Sequence, residues 1–196
     1  MTIPEPSIAV PMPPRVSILI PCYNASATVE RAVDSALAQT FGDLEVIVAD
    51  DGSTDTSLEV LKRYRGDARV SVHAEPHRGG NAPRNRLLEL AGGEYVQFLD
   101  ADDSLAPGKV EACLAAFDKD VDVVFTDRDF HGGNNGQMGR YPEPDGDIVA
   151  YFIRHSVVTM LPVSRLTDVR AVGGFDPSLP CCQEYDLHLR LALHRW

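Results

Sequence analysis

The chain has 196 residues, of which 44% are hydrophobic and 24% are charged, the composition of an ordinary globular domain. Lys and Arg number 18 against 29 Asp and Glu, and the formal net charge of -11 argues against a surface for nucleic acid or an anionic membrane. The four cysteines include no C-x-x-C pair, so the sequence predicts reduced thiols rather than a zinc site or a disulfide framework.

The N-terminal segment 1–14 is rich in proline and lacks the charged start and apolar middle of a signal peptide. We interpret it as a loose leader that precedes one domain over residues 15–196. No apolar run in the sequence approaches the roughly 20 residues needed to span a bilayer. We therefore expect a cytoplasmic chain with no transmembrane segment.

Short apolar runs rich in β-branched residues alternate with helical patterns over the first two thirds of the chain. The predicted strands are 16–20, 44–49, 70–73, 95–99 and 121–125. The predicted helices between them begin behind a Ser26 cap, behind a capping box at Thr56, and at 81 and 107. This alternation predicts an α/β fold with a mostly parallel sheet, whose ligands bind beyond the carboxyl ends of the strands.

The last third of the chain has a less regular pattern. From 131 to 146, Gly, Asn and Pro are frequent, which is typical of a mobile loop. Beyond this loop we predict a helix at 148–154, a strand at 157–163, and helices at 166–172 and 184–196. The last helix is apolar over much of its circumference and has no cap, so we expect further residues to cover it and the domain to be truncated at its C-terminus.

Two groups of carboxylates stand directly after predicted strands. Asp50 and Asp51 follow the second strand, where a carboxylate can accept hydrogen bonds from a nucleobase N–H or a ribose hydroxyl. A simple helix-capping turn is the alternative. Asp100, Asp102 and Asp103 follow the fourth strand, and two such carboxylates can converge on one hard cation, Mg²⁺ or Mn²⁺, that also takes diphosphate oxygens. A solvated acidic turn is the alternative.

A third pair of carboxylates, Glu184 and Asp186, opens the last predicted helix. A carboxylate at a helix start is ordinarily a favourable partner for the helix dipole. Here the pair follows a Gly-Gly-Phe-Asp turn at 173–176, and a carboxylate in such a place can also act as a general base toward a hydroxyl. The residues alone leave both interpretations open.

Several motifs in this order resemble one known family. They are V-S-I-L-I-P-C-Y-N from Val16, D-D-G-S-T-D from Asp50, P-R-N from Pro83, D-A-D-D from Asp100, G-G-F-D-P from Gly173 and C-Q-E-Y-D-L-H-L-R from Cys182. Together they resemble the inverting glycosyltransferases of family 2, and the resemblance spans nearly the whole chain. It implies the Rossmann-like GT-A fold and a catalytic domain over residues 15–196.

The resemblance also implies a nucleotide-sugar site. The residues it assigns to that site are Pro21, Tyr23, Asn24, Asp51, Arg84, Asp100 and Ala101. Asp51 matches the aspartate that reads the base, and Arg84 matches the basic residue beside the nucleotide.

For the metal and the general base, the resemblance implies a second set of roles. Asp102 matches the metal-binding aspartate, with Asp100 close to the same ion, so Mn²⁺ or Mg²⁺ is the expected cofactor. Glu184 matches the second residue of the family's Glu-Asp base motif. Because that pair is Gln183-Glu184 in this sequence, Asp186 is a rival for the role of base.

The implied function is transfer of a sugar from a nucleoside diphosphate, with UDP expected, to an acceptor hydroxyl with inversion, in polysaccharide or glycoconjugate synthesis. The acceptor would be a saccharide, a lipid-linked group or another hydroxyl compound. The alternative is a nucleotide-sugar-binding module without transfer activity of its own. A nucleotidyltransferase is disfavoured because residues 22–25 are not a Gly-rich basic loop, and a dinucleotide oxidoreductase because no G-x-G-x-x-G follows the first strand.

Overall fold

The computed structural model describes residues 13–79, 81–119, 121–129, 138–144, 146–155 and 157–194. The predictions for most of the leader, for residues 131–137 of the loop at 131–146 and for the end of the last helix at 195–196 lie outside the described residues.

A six-stranded sheet organises the described part of the chain. The described strands are β1 (Val16–Cys22), β2 (Leu44–Asp51), β3 (Val70–Glu75), β4 (Tyr95–Phe98), β5 (Val123–Val124), β6 (Arg128–Asp129), β7 (Met138–Gly139) and β8 (Val163–Arg165). The sheet has the order β3-β2-β1-β4-β8-β5, and β6 pairs with β7 in a separate antiparallel ribbon. Strands β1 to β4 run parallel, whereas β8 is antiparallel to both of its neighbours. The predicted α/β fold with a mostly parallel sheet is therefore confirmed.

The helices lie between the strands as the periodicity predicts. They are α1 (Val29–Leu37), α2 (Ser57–Leu61), α3 (Ala82–Leu90), α4 (Lys109–Ala116), α5 (Ile148–Arg154), α6 (Leu166–Ala171) and α7 (Gln183–His194), and a short 3-10 helix, Lys62–Tyr64, continues α2. Every helix in the described ranges is too short or too polar to cross a membrane.

The predicted cap of the first helix is wrong, and that of the second is right in position only. Thr28, not Ser26, occupies the N-cap position of α1, and Thr56 holds the N-cap of α2 without a capping hydrogen bond from its side chain. The carboxylate of Asp55 lies beside both helix starts, where it accepts the backbone N–H of Ser26 at 3.0 Å and of Ser57 at 2.9 Å. One carboxylate thus joins the starts of two helices, which no local cap signal could indicate.

The predicted strand at 157–163 is also wrong, because β8 begins only at the last of these residues. The carbonyl oxygen of Met160 accepts a hydrogen bond from Gln97 Nε2 at 2.7 Å, and that of Leu161 accepts one from Lys109 Nζ at 2.8 Å. These buried side chains use backbone acceptors that a strand would give to its neighbour, so the segment stays irregular. The fifth predicted strand shortens to the two residues of β5.

Apolar side chains cover both faces of the sheet. Successive residues of β1 alternate between the faces, so Ile18 packs with α1, α2 and α4 while Leu19 packs with α3, α6 and α7. A third apolar cluster joins α5 to α7 through Tyr151, Phe152 and Ala192. The carboxyl ends of β1, β2 and β4 emerge from this core along a single edge of the sheet, where polar side chains collect.

Candidate functional site

A cavity of about 510 Å³ opens at the carboxyl ends of β1, β2 and β4. Most of the residues predicted for the site line it, namely Pro21, Tyr23, Asn24, Asp51, Arg84, Asp100, Ala101 and Asp102. The lining also includes residues that were not predicted for the site, namely Cys22, Ala25, Thr28, His77, Gly79 and Pro83. The parallel topology brings these segments together because all three strands end at the same edge of the sheet.

Asn24 holds the loop after β1 against the turn after β2. Its side-chain Oδ1 accepts the backbone N–H of Thr54 at 2.8 Å, and its own N–H donates to Ser53 Oγ at 2.9 Å. The φ angle of Asn24 is 49°, in the left-handed region that asparagine tolerates better than most residues. The Asn24 side chain therefore shapes the cavity wall through its contacts with the neighbouring turn.

Asp51 is 4% exposed and holds the loop at 77–79 onto the end of β2. Its Oδ1 accepts the backbone N–H of Arg78 at 2.9 Å, and its Oδ2 accepts that of Gly79 at 2.8 Å. The Nδ1 atom of His77 also lies 2.9 Å from Asp51 Oδ2. The carboxylate predicted to read a base thus lies in the cavity wall, where it positions the loop that completes that wall.

An aromatic pair lines the cavity beside Asp51. The ring of His77 stacks on that of Tyr23 with centroids 4.3 Å apart and 27° between the planes. Gly52 permits this approach, since its φ is 71° and a Cβ atom there would lie 2.7 Å from the backbone nitrogen of His77. Tyr23 remains 48% exposed, so part of the pair is open to a planar ligand. Sequence reasoning missed His77 because its partners lie far from it along the chain.

Charged side chains line the cavity next to β4. Arg84 Nη2 donates to Asp100 Oδ1 at 2.8 Å, and the guanidinium carbon lies 5.9 Å from the centroid of the Phe175 ring. Burial raises the pKa of Asp100, Arg84 opposes that rise, and the charges of Asp102 and Glu184 add to it. Negative charge is therefore crowded at this end of the cavity and only partly offset by Arg84.

The charged side chains of residues 100–103, after β4, are carboxylates, the type of ligand that a hard divalent cation takes. Burial raises the pKa of Asp103, and the charges of Asp102 and Asp100 raise it further. Asp100 and Asp102 line the same cavity, while no group of three or more His, Cys, Asp or Glu side chains in the described residues converges on one point. Mg²⁺ and Mn²⁺ use oxygen ligands, and Mg²⁺ typically takes only one or two protein carboxylates and leaves the other positions to phosphates and water.

On α7, Asp186 is held in place by its own helix. Its Oδ2 accepts from Arg190 Nε at 2.9 Å. Arg190 also donates to the backbone carbonyls of Val172 at 2.6 Å and Gly174 at 2.8 Å. Asp186 therefore orients the guanidinium that joins α7 to the turn after α6.

Glu184 is partly exposed on the first turn of the same helix, and its side chain forms no hydrogen bond with another described residue. The negative charge of Glu184 repels that of Asp100 and so raises the pKa of Asp100. Residues two apart on a helix point about 200° away from each other, and α7 begins at Gln183, so Glu184 and Asp186 do not face the same group. The structure places neither of them in the cavity lining.

Known proteins are similar to this chain in sequence and in fold. A family model described as Glycosyl transferase family 2 matches residues 17–172. The chain is 36% identical over 193 residues to a chondroitin synthase of Pasteurella multocida strain Pm70, and 36% identical over 193 residues to a hyaluronan synthase of Pasteurella multocida. Each alignment covers 91% of this chain but 19% of the relative, so the chain spans about a fifth of the length of these curated relatives.

Solved structures agree with the predicted fold. Staphylococcus aureus TarS 1-349 in complex with UDP-GlcNAc is similar with a TM-score of 0.78 and 25% identity, over 91% of this chain and 53% of that chain. The mannosyltransferase PcManGT from Pyrobaculum calidifontis, in complex with GDP-Man and Mn²⁺, is similar with a TM-score of 0.72 and 21% identity, over 94% of this chain and 54% of that chain. The predicted GT-A fold is therefore confirmed.

Proposed function

This chain belongs to glycosyl transferase family 2, and we propose that it moves a sugar from a UDP-sugar to an acceptor hydroxyl with inversion at the anomeric carbon. The observation that carries the proposal is the convergence of the predicted nucleotide-sugar residues on one cavity at the carboxyl edge of the sheet. The structural likeness to TarS in complex with UDP-GlcNAc supports UDP as the nucleotide. The likeness to chondroitin and hyaluronan synthases supports a role in polysaccharide synthesis.

The nucleoside would occupy the end of the cavity beside Asp51. The exposed part of the Tyr23 and His77 pair offers an aromatic surface on which a planar base can stack. Asp51 supplies carboxylate oxygens that accept hydrogen bonds from base or ribose donors. Those oxygens now accept from the loop at 77–79, so donor binding would involve an adjustment of that loop.

The diphosphate would lie toward Arg84 and the carboxylates after β4. Arg84 carries a positive charge into the cavity, where its guanidinium suits phosphate oxygens. Asp102 and Asp100 would hold Mn²⁺ or Mg²⁺, which when bound stabilises the negative charge of a departing diphosphate. Without a cation, the same carboxylates would repel the phosphates of the donor.

Glu184 is the proposed general base. The acceptor oxygen attacks the anomeric carbon from the face opposite the diphosphate, the bond from that carbon to the diphosphate oxygen breaks, and the acceptor proton passes to the Glu184 carboxylate. Attack from that face inverts the configuration. Asp186 is the weaker candidate because its carboxylate already accepts a hydrogen bond from Arg190.

A titration of the chain with UDP and UDP-sugars tests the donor site. In calorimetry with Mn²⁺ present, we expect saturable binding that Arg84→Met weakens by about 10-fold or more, since 1.4 kcal/mol corresponds to a factor of ten. Arg86→Met is the matched control, because Arg86 lies on the same helix, is paired with Glu75 and Glu89, and does not line the cavity. An equal loss of UDP affinity in the Arg84 and Arg86 variants, or no UDP binding by the native chain, would contradict the proposal.

The second candidate is a donor-binding module that does not transfer sugar by itself. It is favoured by one observation, which is that neither Glu184 nor Asp186 lines the cavity. Release of UDP from UDP-sugars, measured with and without a panel of hydroxyl acceptors, separates the two. Binding of UDP-sugar without acceptor-dependent release of UDP would identify the chain as a donor-binding module.

A further inference from the structure

Cys181 and Cys182 form a pair of neighbouring thiols at the start of α7. Both side chains are exposed, and their Sγ atoms lie 3.7 Å apart. The φ angle of Cys182 is 59°, in the left-handed region that residues other than glycine rarely adopt. The backbone oxygen of Cys182 accepts from the N–H of Asp186, so the pair is attached directly to the first turn of the helix. Two sulfur atoms are thus presented together to solvent.

The separation of the sulfurs suits two bonds to one thiophilic centre. Two bonds of about 2.3 Å to one centre, the length of a zinc–thiolate bond, span at most about 4.6 Å, so sulfurs 3.7 Å apart can both reach that centre. A disulfide requires the sulfurs to come within about 2.05 Å, which is far closer than they are here. The pair therefore has the spacing of a two-point chelate rather than that of a nearly formed disulfide.

We propose that Cys181 and Cys182 form a two-thiol chelating site for a trivalent arsenical. A structural zinc site takes four protein ligands, and the described residues provide no group of three or more that converges, so a ligand that needs only two thiols fits best. An organic arsenoxide is such a ligand. Two As–S bonds form and the As=O bond breaks, while the two thiol hydrogens leave with the oxygen as one water molecule, with no change of oxidation state.

The other two cysteines differ from this pair in burial. Cys22 and Cys113 are each 1% exposed. Burial raises the pKa of the Cys22 thiol to about 11 and also raises that of Cys113. Buried thiols of this kind are inert toward reagents in solution, so they serve as internal controls in the same chain.

The chelating site does not depend on the proposed sugar transfer. It lies two residues before Glu184, and a ligand across both sulfurs would restrain the backbone that leads into the first turn of α7. The cavity at the sheet edge contains neither cysteine of the pair, so the site is separate from the donor pocket.

Phenylarsine oxide tests the proposal on the reduced native chain. We expect uptake of one phenylarsine per chain with loss of one water, measured by intact mass spectrometry, and peptide mapping should place it on Cys181 and Cys182. Cys181→Ser and Cys182→Ser should each weaken binding on the order of 100-fold, because the second bond no longer forms within one molecule. A dithiol competitor should remove the arsenical where the same concentration of a monothiol does not.

Cys113→Ala is the control, since it removes a buried thiol and leaves the pair intact, and it should bind like the native chain. Circular dichroism establishes that each variant is folded. No uptake, uptake mapped to Cys22 or Cys113, or unchanged affinity in either serine variant would overturn the proposal.

Discussion

Lys109 carries its ammonium group inside the protein, and removing that group tests the packing behind β4. The residue is 8% exposed, and its Nζ donates to Leu161 O at 2.8 Å and to Gln97 Oε1. Burial lowers the pKa of Lys109 from 10.5 to about 8. Between these two pH values the unfolded chain therefore binds more protons than the folded chain, so this group makes stability rise with pH.

The size of the effect follows from the depressed pKa. At 1.36 kcal/mol per pKa unit, the change from 10.5 to about 8 corresponds to roughly 3 kcal/mol of destabilisation, present below pH 8 and relieved by about pH 10.5. Lys109→Met removes this titration but leaves the oxygens of Gln97 and Leu161 without their donor, at a cost of about 1–3 kcal/mol each. The two effects largely offset each other at pH 7. At pH 10 the variant should be clearly less stable than the native chain.

Urea unfolding followed by circular dichroism at pH 7 and at pH 10 measures this difference. The unfolding free energy of the native chain, relative to that of the Lys109→Met variant, should rise by roughly 2 to 3 kcal/mol from pH 7 to pH 10. Groups that titrate in this range and do not interact with Lys109 cancel, because they are common to both proteins. Cys113 is the exception, since the Lys109 charge opposes the rise that burial causes in its pKa. Lys62→Met is the matched control, since Lys62 is an exposed lysine paired with Glu59, and its difference from the native chain should stay constant. If the unfolding free energy of Lys109→Met also differs from that of the native chain by the same amount at pH 7 and at pH 10, the reasoning is refuted.

Three further predictions concern the candidate site. UDP binding should require Mn²⁺ or Mg²⁺, and Asp102→Asn should weaken it far more than Asp103→Asn does in calorimetric titration; equal UDP affinity in excess chelator would remove the metal from the proposal. Asp51→Ala should weaken UDP and UDP-sugar alike and lower the melting temperature, because the loop at 77–79 loses its acceptor; a loss confined to the sugar-bearing ligand would show that Asp51 does not contact the nucleoside. In a form of the protein that transfers sugar, Glu184→Gln should lower turnover by roughly 100-fold or more with donor binding intact. Asp186→Asn should mainly lower thermal stability, and the reverse pattern would assign the base to Asp186.

The local sequence pattern was sufficient to predict the strands and helices that build the site. Apolar β-branched runs predicted β1 and β2, and helical spacing predicted α1 and α3, because both patterns reflect which face of an element is buried. Asp51 and Asp102 stand near the ends of such runs. Parallel topology then places strand ends at one edge, so their shared cavity was predictable as well.

Contacts between distant segments were not predictable in this way. Ser26 has the residue type of a helix cap, yet Asp55 binds its N–H and Thr28 takes the cap position. The segment at 157–163 has the composition of a strand, yet Lys109 and a neighbouring glutamine bind its carbonyls. In each case a side chain from another element binds the backbone of the segment, and only packing decides which hydrogen bond forms.

The sequence by itself determined the α/β order of elements and the positions of the acidic residues at the strand ends, because burial periodicity and chain order are properties of neighbouring residues. Only the tertiary structure decided what each of those side chains contacts. Asp51 holds the loop that brings His77 onto Tyr23, and Asp186 binds Arg190, while Glu184 forms no such bond with the part of the chain that the structure describes. Hydrogen-bond partners depend on distances of a few ångströms between segments far apart in the chain, and those distances exist only once the core has packed.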